Sequence, residues 1–379
     1  MNSKDLLAYF EGRNDEILAA IREVVDIESP SHDAGQSRAV ADWIEHRVNK
    51  TGAKATVERI AVDDGEHIVI RAFSSDGPQT VLLGHTDTVH PIGTNQKNPT
   101  RIEGDRFYGC GIFDMKANIV LLLEAIRYFA DTGKKPASPI TVILSCDEEI
   151  GSFTGRPVIE REVAGAARCL VFEPSADGRV KTGRKGTGMF GLKATGIPAH
   201  AGLEPEKGAS AVLELSRQVE RIHEIAKPEV GTTVNVTTFR GGTTLNVIPE
   251  HAKCEIDVRF AVAEEAERVN NALNELKPFD GRVRLELFGG INRPPLERNV
   301  SVIALYEKAR DLAASLGYDL GETQVGGASD GNFVGALGIP VLDGLGITGA
   351  GAHTLHEHIL VSDISTRAAL VTLLLMSDN

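Results

Sequence analysis

The sequence predicts an α/β fold: a mostly parallel-sheet domain into which a smaller α+β domain is inserted. Three observations carry that reading. Apolar strand-like runs alternate with helical patterns through the first half of the chain, the order of a parallel sheet covered on both faces. Near residue 184 the order becomes β-α-β-β-α-β, that of a split-βαβ, ferredoxin-like unit. After Gly289-Gly290 and Pro294-Pro295 the alternation of the first half resumes, as expected of a return linker. A chain of 379 residues is long enough for two cores. The expected division is 1–183 with 294–379 as the larger domain, and 184–293 as the insert.

Taken in order, helical periodicity covers roughly 3–27 and 35–51, and strands are expected at 67–73 and 80–83. A helix over 115–132 precedes strands at 140–145 and 168–172. The insert reads as a strand at 188–194, a helix at 209–225, strands at 232–239 and 252–260, a helix at 264–276 and a strand at 282–288. Helices near 299–316 and 363–376 close the chain.

Composition excludes several classes. The net charge of -13 argues against nucleic acid, whose phosphates require a basic surface. The four cysteines form no CxxC pair, so neither a zinc ribbon nor a redox motif is readable, and reduced thiols are expected. The N-terminal segment lacks the basic start and apolar run of a secretion signal. No apolar stretch reaches membrane-spanning length. A cytoplasmic protein without a membrane partner is the expectation.

Candidate chemistry gathers at predicted strand ends. The second strand runs into Gly84-His85-Thr86-Asp87, where positions i and i+2 share a face. His85 can then bind a metal with the Asp87 carboxylate behind it; ordinary turn residues are the alternative. A glycine-rich loop delivers Asp114 to a helix start, as an N-cap or as a carboxylate bridging two metals. Asp147-Glu148-Glu149 follows an apolar strand. Three adjacent carboxylates form either a solvated turn or a site whose repulsion a cation relieves. Glu173 follows another apolar strand, and His353, His356 and His358 cluster near the end of the chain. Together His85, Asp114, Glu149, Glu173 and His353 match the donor set of two zinc-like ions sharing one bridge. Gly186-Thr187-Gly188-Met189-Phe190-Gly191 has GxGxxG spacing but runs into a strand pattern, the wrong context for a dinucleotide site. HExxH is absent.

The sequence resembles the two-zinc metallopeptidases that include glutamate carboxypeptidase, aminoacylase, acetylornithine deacetylase and succinyl-diaminopimelate desuccinylase, and looks most like the first. The motifs are Gly84-His85-Thr86-Asp87-Thr88-Val89, Asp114-Met115-Lys116, Asp147-Glu148-Glu149-Ile150-Gly151-Ser152, Phe172-Glu173-Pro174, Pro198-Ala199-His200-Ala201-Gly202 and Gly326-Gly327-Ala328-Ser329-Asp330-Gly331. The resemblance implies hydrolysis of an amide bond next to a free carboxylate in a small peptide or N-acyl amino acid. It implies two zinc ions per subunit, with cobalt or manganese as substitutes. One ion would take His85 and Glu173, the other Glu149 and His353, with Asp114 bridging. His353 is preferred to His356 because Glu357 follows it by four residues.

Glu148 would be the general base, and Asp87 would orient His85. The insert would act as a lid and pair two subunits into a homodimer. From it His200 would reach the partner's site, and Asn246 and Arg259 would hold the substrate carboxylate. Gly327 and Ser329 would line the substrate. A cis peptide is expected at Asp114-Met115. Four positions depart from the family pattern: Ala117 and Asn118 in place of two glycines, Cys110 in the glycine-rich loop, and Gln324 in place of an arginine. A dinuclear phosphoesterase and a non-catalytic metal-binding relative are the competing readings.

Overall fold

The computed structural model describes residues 3–378. Two helices, α1 (Ser3–Glu11) and α2 (Asn14–Asp26), stand where one is expected. The break falls at Gly12, whose backbone freedom makes a helix interior costly. Their apolar stripes, Leu6 and Phe10, then Ile17, Ile21, Val24 and Val25, are buried at helical spacing. The helix α3 (Ala34–Lys50) starts at Asp33, whose side chain accepts the Gln36 N–H.

A hairpin of β1 (Ala55–Val62) and β2 (Gly65–Ala72) precedes β3 (Thr80–His85). The short elements α4 (Thr94–Lys97), β4 (Arg101–Glu103) and β5 (Arg106–Tyr108) lead to α5 (Ala117–Thr132). Then come β6 (Ile140–Ser145), α6 (Gly155–Glu162), β7 (Arg168–Val171) and β8 (Val180–Arg184). The middle of the chain forms β9 (Gly186–Thr195), α7 (Ala211–His223), β10 (Thr233–Gly241), β11 (His251–Phe260), α8 (Ala263–Asn274) and β12 (Arg284–Arg293). It closes with α9 (Val300–Ser315), β13 (Glu322–Val325), α10 (Gly331–Ala336), β14 (Val341–Leu342), β15 (Gly349–Ala350), β16 (His358–Leu360) and α11 (Ile364–Met376).

Two compact units result: Met1–Gly183 with Arg298–Gln324 and Ser329–Asn379, and Arg184–Glu297 with Val325–Ala328. The larger unit is built on a six-stranded sheet in the order β1-β2-β6-β3-β7-β14. From β6 to β14 the pairings are parallel, whereas β1, β2 and β6 pair antiparallel. The expected parallel sheet thus carries an antiparallel edge. Its outermost strand, β1, has no place in the sequence reading because the adjacent charges Glu58 and Arg59 interrupt the apolar alternation; it is half-exposed, as suits an edge. Strands β3 and β6 are buried along their whole length, and α1, α2, α5, α9 and α11 contribute to the same core.

The smaller unit has an antiparallel sheet in the order β10-β11-β9-β12, the arrangement of a split βαβ unit. Alternate β11 residues Ala252, Cys254, Ile256, Val258 and Phe260 are buried in a separate core with Leu215 and Ile222 of α7 and Val269 and Leu273 of α8. The GxGxxG segment lies within β9, paired on both sides.

Candidate metal centre

Parallel strands bring their carboxyl ends to one edge, and four candidate residues on three strands follow from that alone. His85 ends β3, Glu148 and Glu149 follow β6, and Glu173 follows β7. His85 pairs in register with Ser145 of β6. Asp114 arrives from the turn before α5, whose Asp114–Met115 peptide is cis. His353 arrives from the loop between β15 and β16 with a left-handed backbone, φ 65°.

The five residues meet. His85 Nε2 lies 3.1 Å from Asp114 Oδ1 and 3.6 Å from Glu173 Oε1. His353 Nε2 lies 3.4 Å from Asp114 Oδ2 and 3.3 Å from Glu149 Oε2. The two oxygens of Asp114 therefore face different imidazoles. Among the described residues, donor atoms of His85, Asp114 and Glu149 lie within 4.8 Å of one another, and so do those of His85, Glu148 and Glu173. His353, and not His356, is the ring that faces Asp114 and Glu149.

The imidazoles and carboxylates of the cluster shift one another's pKa values. Burial pushes the His85 imidazole down, but the hydrogen bonds to Asp114 and Asp87 outweigh it and leave its pKa well above the ordinary value. Bonds to Asp114 and Glu149 push His353 up to about 10. Burial alone would raise the Asp114 carboxyl, yet the two imidazoles hold it well below its usual range. Burial pushes Glu149 up. Its Oε1 is buried with no hydrogen-bond partner, an arrangement that costs free energy unless something else binds there.

The turn that bears Glu148 and Glu149 is anchored from several sides. The Asp87 carboxylate accepts the N–H groups of Glu148 and Glu149, both at 3.1 Å, and the Ser31 hydroxyl at 2.7 Å. The Asp87 atom nearest His85 Nδ1 is the backbone carbonyl, at 2.9 Å, with the carboxylate at 3.4 Å. The carboxylate thus stands behind His85, as the spacing predicts, and makes its shorter bonds to this turn and to Ser31. Asp330 accepts the hydroxyls of Ser145, at 2.8 Å, and Ser152. Asp147 accepts the N–H of Thr154 at 2.7 Å, so backbone donors answer part of the acidic repulsion.

Other supports were not read from the sequence. Glu357 is fully buried and accepts N–H groups of Gly111, Phe113 and Asp114 at 2.8–2.9 Å, while His90 Nε2 lies 2.8 Å away. Asn118 donates to the Phe172 carbonyl and accepts the Ile347 N–H, both at 2.9 Å. A lone amide in the apolar run Ala117–Leu123 was the available signal, since a buried polar group needs partners. Lys116, also buried, donates to the Ile27 carbonyl and is pushed down by burial to about 8. Cys110 and the other three cysteines are buried free thiols.

Of the expected substrate contacts, His200, Asn246, Arg259 and Gly327 belong to the smaller unit. In the smaller unit His200 is exposed, and its Nδ1 accepts the N–H groups of Gly202 and Leu203 at 3.2 Å. The ring proton is therefore on Nε2. The Ala201 N–H donates to the Asn246 carbonyl at 2.9 Å, and His200 bridges to Val247, which ties the two candidate loops together. Arg259, one-third exposed, makes a two-pronged ion pair with Asp257 two residues away on the same strand, the closest contact 2.8 Å. The Gly327 carbonyl accepts Arg184 Nη1 at 3.1 Å. Ser329 belongs to the larger unit, is fully buried and donates to Asp343 at 2.6 Å. That hydroxyl is spent on the fold, which argues against its expected contact with substrate.

Residues 81–377 match the model of peptidase family M20/M25/M40. Carboxypeptidase G2 of Pseudomonas sp. (strain RS-16) is 30% identical over 97% of this chain and 91% of its own length. A succinyl-diaminopimelate desuccinylase of Delftia acidovorans is 27% identical over 76% of this chain and 79% of its own. Among solved structures, a tripeptidase from Staphylococcus aureus superposes with TM-score 0.77 at 20% identity, covering 96% of this chain and 98% of its own. A metallo-carboxypeptidase from Sulfolobus solfataricus gives 0.75 at 17%, covering 95% and 99%.

Proposed function

This chain belongs to peptidase family M20/M25/M40, and on that premise we propose that it is a two-cation hydrolase cutting an amide or peptide bond next to a free carboxylate. The observation that carries the reading is the meeting of three carboxylates and two imidazoles at one sheet edge, with Glu149 Oε1 buried and unpartnered. The donor set fits a pair of zinc-type ions, which take nitrogen and carboxylate ligands; cobalt and manganese accept the same donors. His85 and Glu173 would hold one ion and Glu149 and His353 the other, with Asp114 offering one oxygen to each.

When bound, such ions polarise a carbonyl and bring the pKa of a water toward about 7. The remaining roles fall to the chain. Glu148 takes the proton of the attacking water and returns it to the leaving amine. Asp87 holds the backbone of Glu148 and Glu149 and backs His85 through its carbonyl. His200 presents an Nε2–H for the developing oxyanion, offered to the partner subunit of a homodimer formed through the smaller unit. Asn246 and Arg259 hold the substrate carboxylate, Arg259 exchanging Asp257 for it, and Gly327 lines the substrate. The substrate class is a small peptide or N-acyl amino acid. No helix among the described residues is long and apolar enough to cross a membrane.

The test is a screen of N-acyl amino acids, short peptides and phosphate esters with protein loaded with zinc, cobalt or manganese. Cleavage of amides with a free, but not an amidated, C-terminus is expected. Glu148→Ala should retain its cations and lose nearly all turnover. Phosphate ester cleavage alone, or wild-type turnover in that variant, would refute the reading.

A further inference from the structure

Strand β2 lies beside β6 and carries His67 next to the turn that bears Glu148. His67 is fully buried, and its ring makes two hydrogen bonds whose sense can be assigned. Nδ1 accepts the Cys146 N–H at 3.1 Å, so the ring proton sits on Nε2. Nε2–H donates to Thr154 Oγ1 at 2.9 Å. The Thr154 hydroxyl in turn donates to Asp147 Oδ2 at 2.8 Å. The chain Cys146 N–H, His67, Thr154, Asp147 closes a ring on the two residues directly ahead of Glu148, with each proton accounted for.

The corner has little slack. Asp147 also accepts the N–H groups of Thr154 and Gly155 at 2.7 and 3.2 Å. A Cβ added at Gly155 would lie 2.7 Å from Asp147 Oδ1. Beyond Asp147, the Glu148 and Glu149 N–H groups are already taken by Asp87. The backbone on both sides of Glu148 is thus held by side chains from two other strand ends. Burial pushes His67 down, which keeps Nδ1 free to accept. None of His67, Thr154 and Asp147 is among the residues that face the cation positions.

We propose that His67 is a positioning residue for Glu148. Through Thr154 and Asp147 it fixes the direction in which the base carboxylate leaves the backbone, without touching substrate or cation. A small error in such a direction is costly to a reaction that depends on a near-attack geometry. The proposal rests on the reading of Glu148 as general base.

The experiment uses full-length, cation-loaded protein and an N-acyl amino acid substrate. Thr154→Val keeps the shape and breaks the bridge. We expect kcat to fall about 10–100-fold, the range typical of outer-shell partners, with KM and bound cation unchanged. Thr154→Ser should restore kcat to within about threefold. His67→Ala should show the same loss, and His67→Ala/Thr154→Val no further loss, because one chain is broken in each case. A folded Thr154→Val with kcat within about twofold of wild type, or losses that multiply in the double variant, would overturn the proposal. If His67→Ala does not fold, the Val and Ser pair at Thr154 decides. Failure of the base reading itself would register separately, as turnover retained in Glu148→Ala.

Discussion

Glu357 and Asp114 stand 243 residues apart in the chain, and the Glu357 carboxylate accepts the Asp114 N–H at 2.9 Å. Because Glu357 follows His353 by four residues, one loop supplies both an imidazole facing the cation positions and the clamp on the loop of the bridging carboxylate. The clamp is charge-assisted and buried, the regime in which hydrogen bonds are strongest.

Glu357→Gln should therefore loosen the whole centre. An amide has a single acceptor oxygen and turns an NH₂ group toward donors it cannot satisfy. Cation affinity should drop about 10–100-fold, and the variant should lose about 3 kcal/mol of stability. Cation titration and denaturant unfolding measure the two effects. Wild-type affinity in the folded variant would show that the clamp does not set the site.

Cations and protons should compete for the imidazoles. His353, raised to about 10, and His85, raised well above its ordinary value, carry protons at neutral pH in the cation-free protein. Cation binding must expel them, so affinity should fall as pH falls. Calorimetry in two buffers of different ionisation enthalpy should report net proton release. Equal apparent enthalpies in the two buffers would contradict it. Chelation should also lower the melting temperature, since a ligand of the native state stabilises by mass action.

Asn118→Ala should destabilise the larger unit. It strips partners from the buried Phe172 carbonyl and Ile347 N–H, at a cost of about 2–4 kcal/mol. Phe172 directly precedes Glu173, so cation affinity should fall as well. Unfolding by urea at neutral pH gives the stability change; a loss below about 0.5 kcal/mol would mean that the two groups find other partners.

The smaller unit offers a pH test. The bond from Arg268 pulls Glu265 from 4.5 to about 2, helped by the Thr232 hydroxyl. A depressed carboxylate adds stability that is present above pH 4.5 and lost as pH falls toward about 2. Glu265→Gln should cost about 1–2 kcal/mol at neutral pH, after allowance for solvent screening, and should flatten the decline of stability across that acid window. An unchanged acid profile would remove Glu265 from the account.

Local pattern carried much of the molecule. The strands ending at His85 and leading to Glu149 and Glu173 were readable as apolar runs capped by chemistry-bearing residues, and the parallel order brought their ends together. The β-α-β-β-α-β succession of the insert was readable for the same reason: periodicity is a property of neighbouring residues. Helical periodicity over 3–27 does not register the break at Gly12, and in the antiparallel β1 edge Glu58 and Arg59 mask the alternation.

What the tertiary structure alone decided is where each polar group spends its hydrogen bonds. Spacing placed the Asp87 carboxylate behind His85, and there it lies, 3.4 Å from Nδ1; folding added the Glu148 and Glu149 amides. Motif position placed Ser329 at the substrate; folding buried it against Asp343. The bonds from Glu357 to Asp114 and from His67 to Cys146 join residues far apart in the chain. Such pairings are chosen by which buried donors and acceptors remain unsatisfied once the sheet has formed, a condition that no run of adjacent residues records.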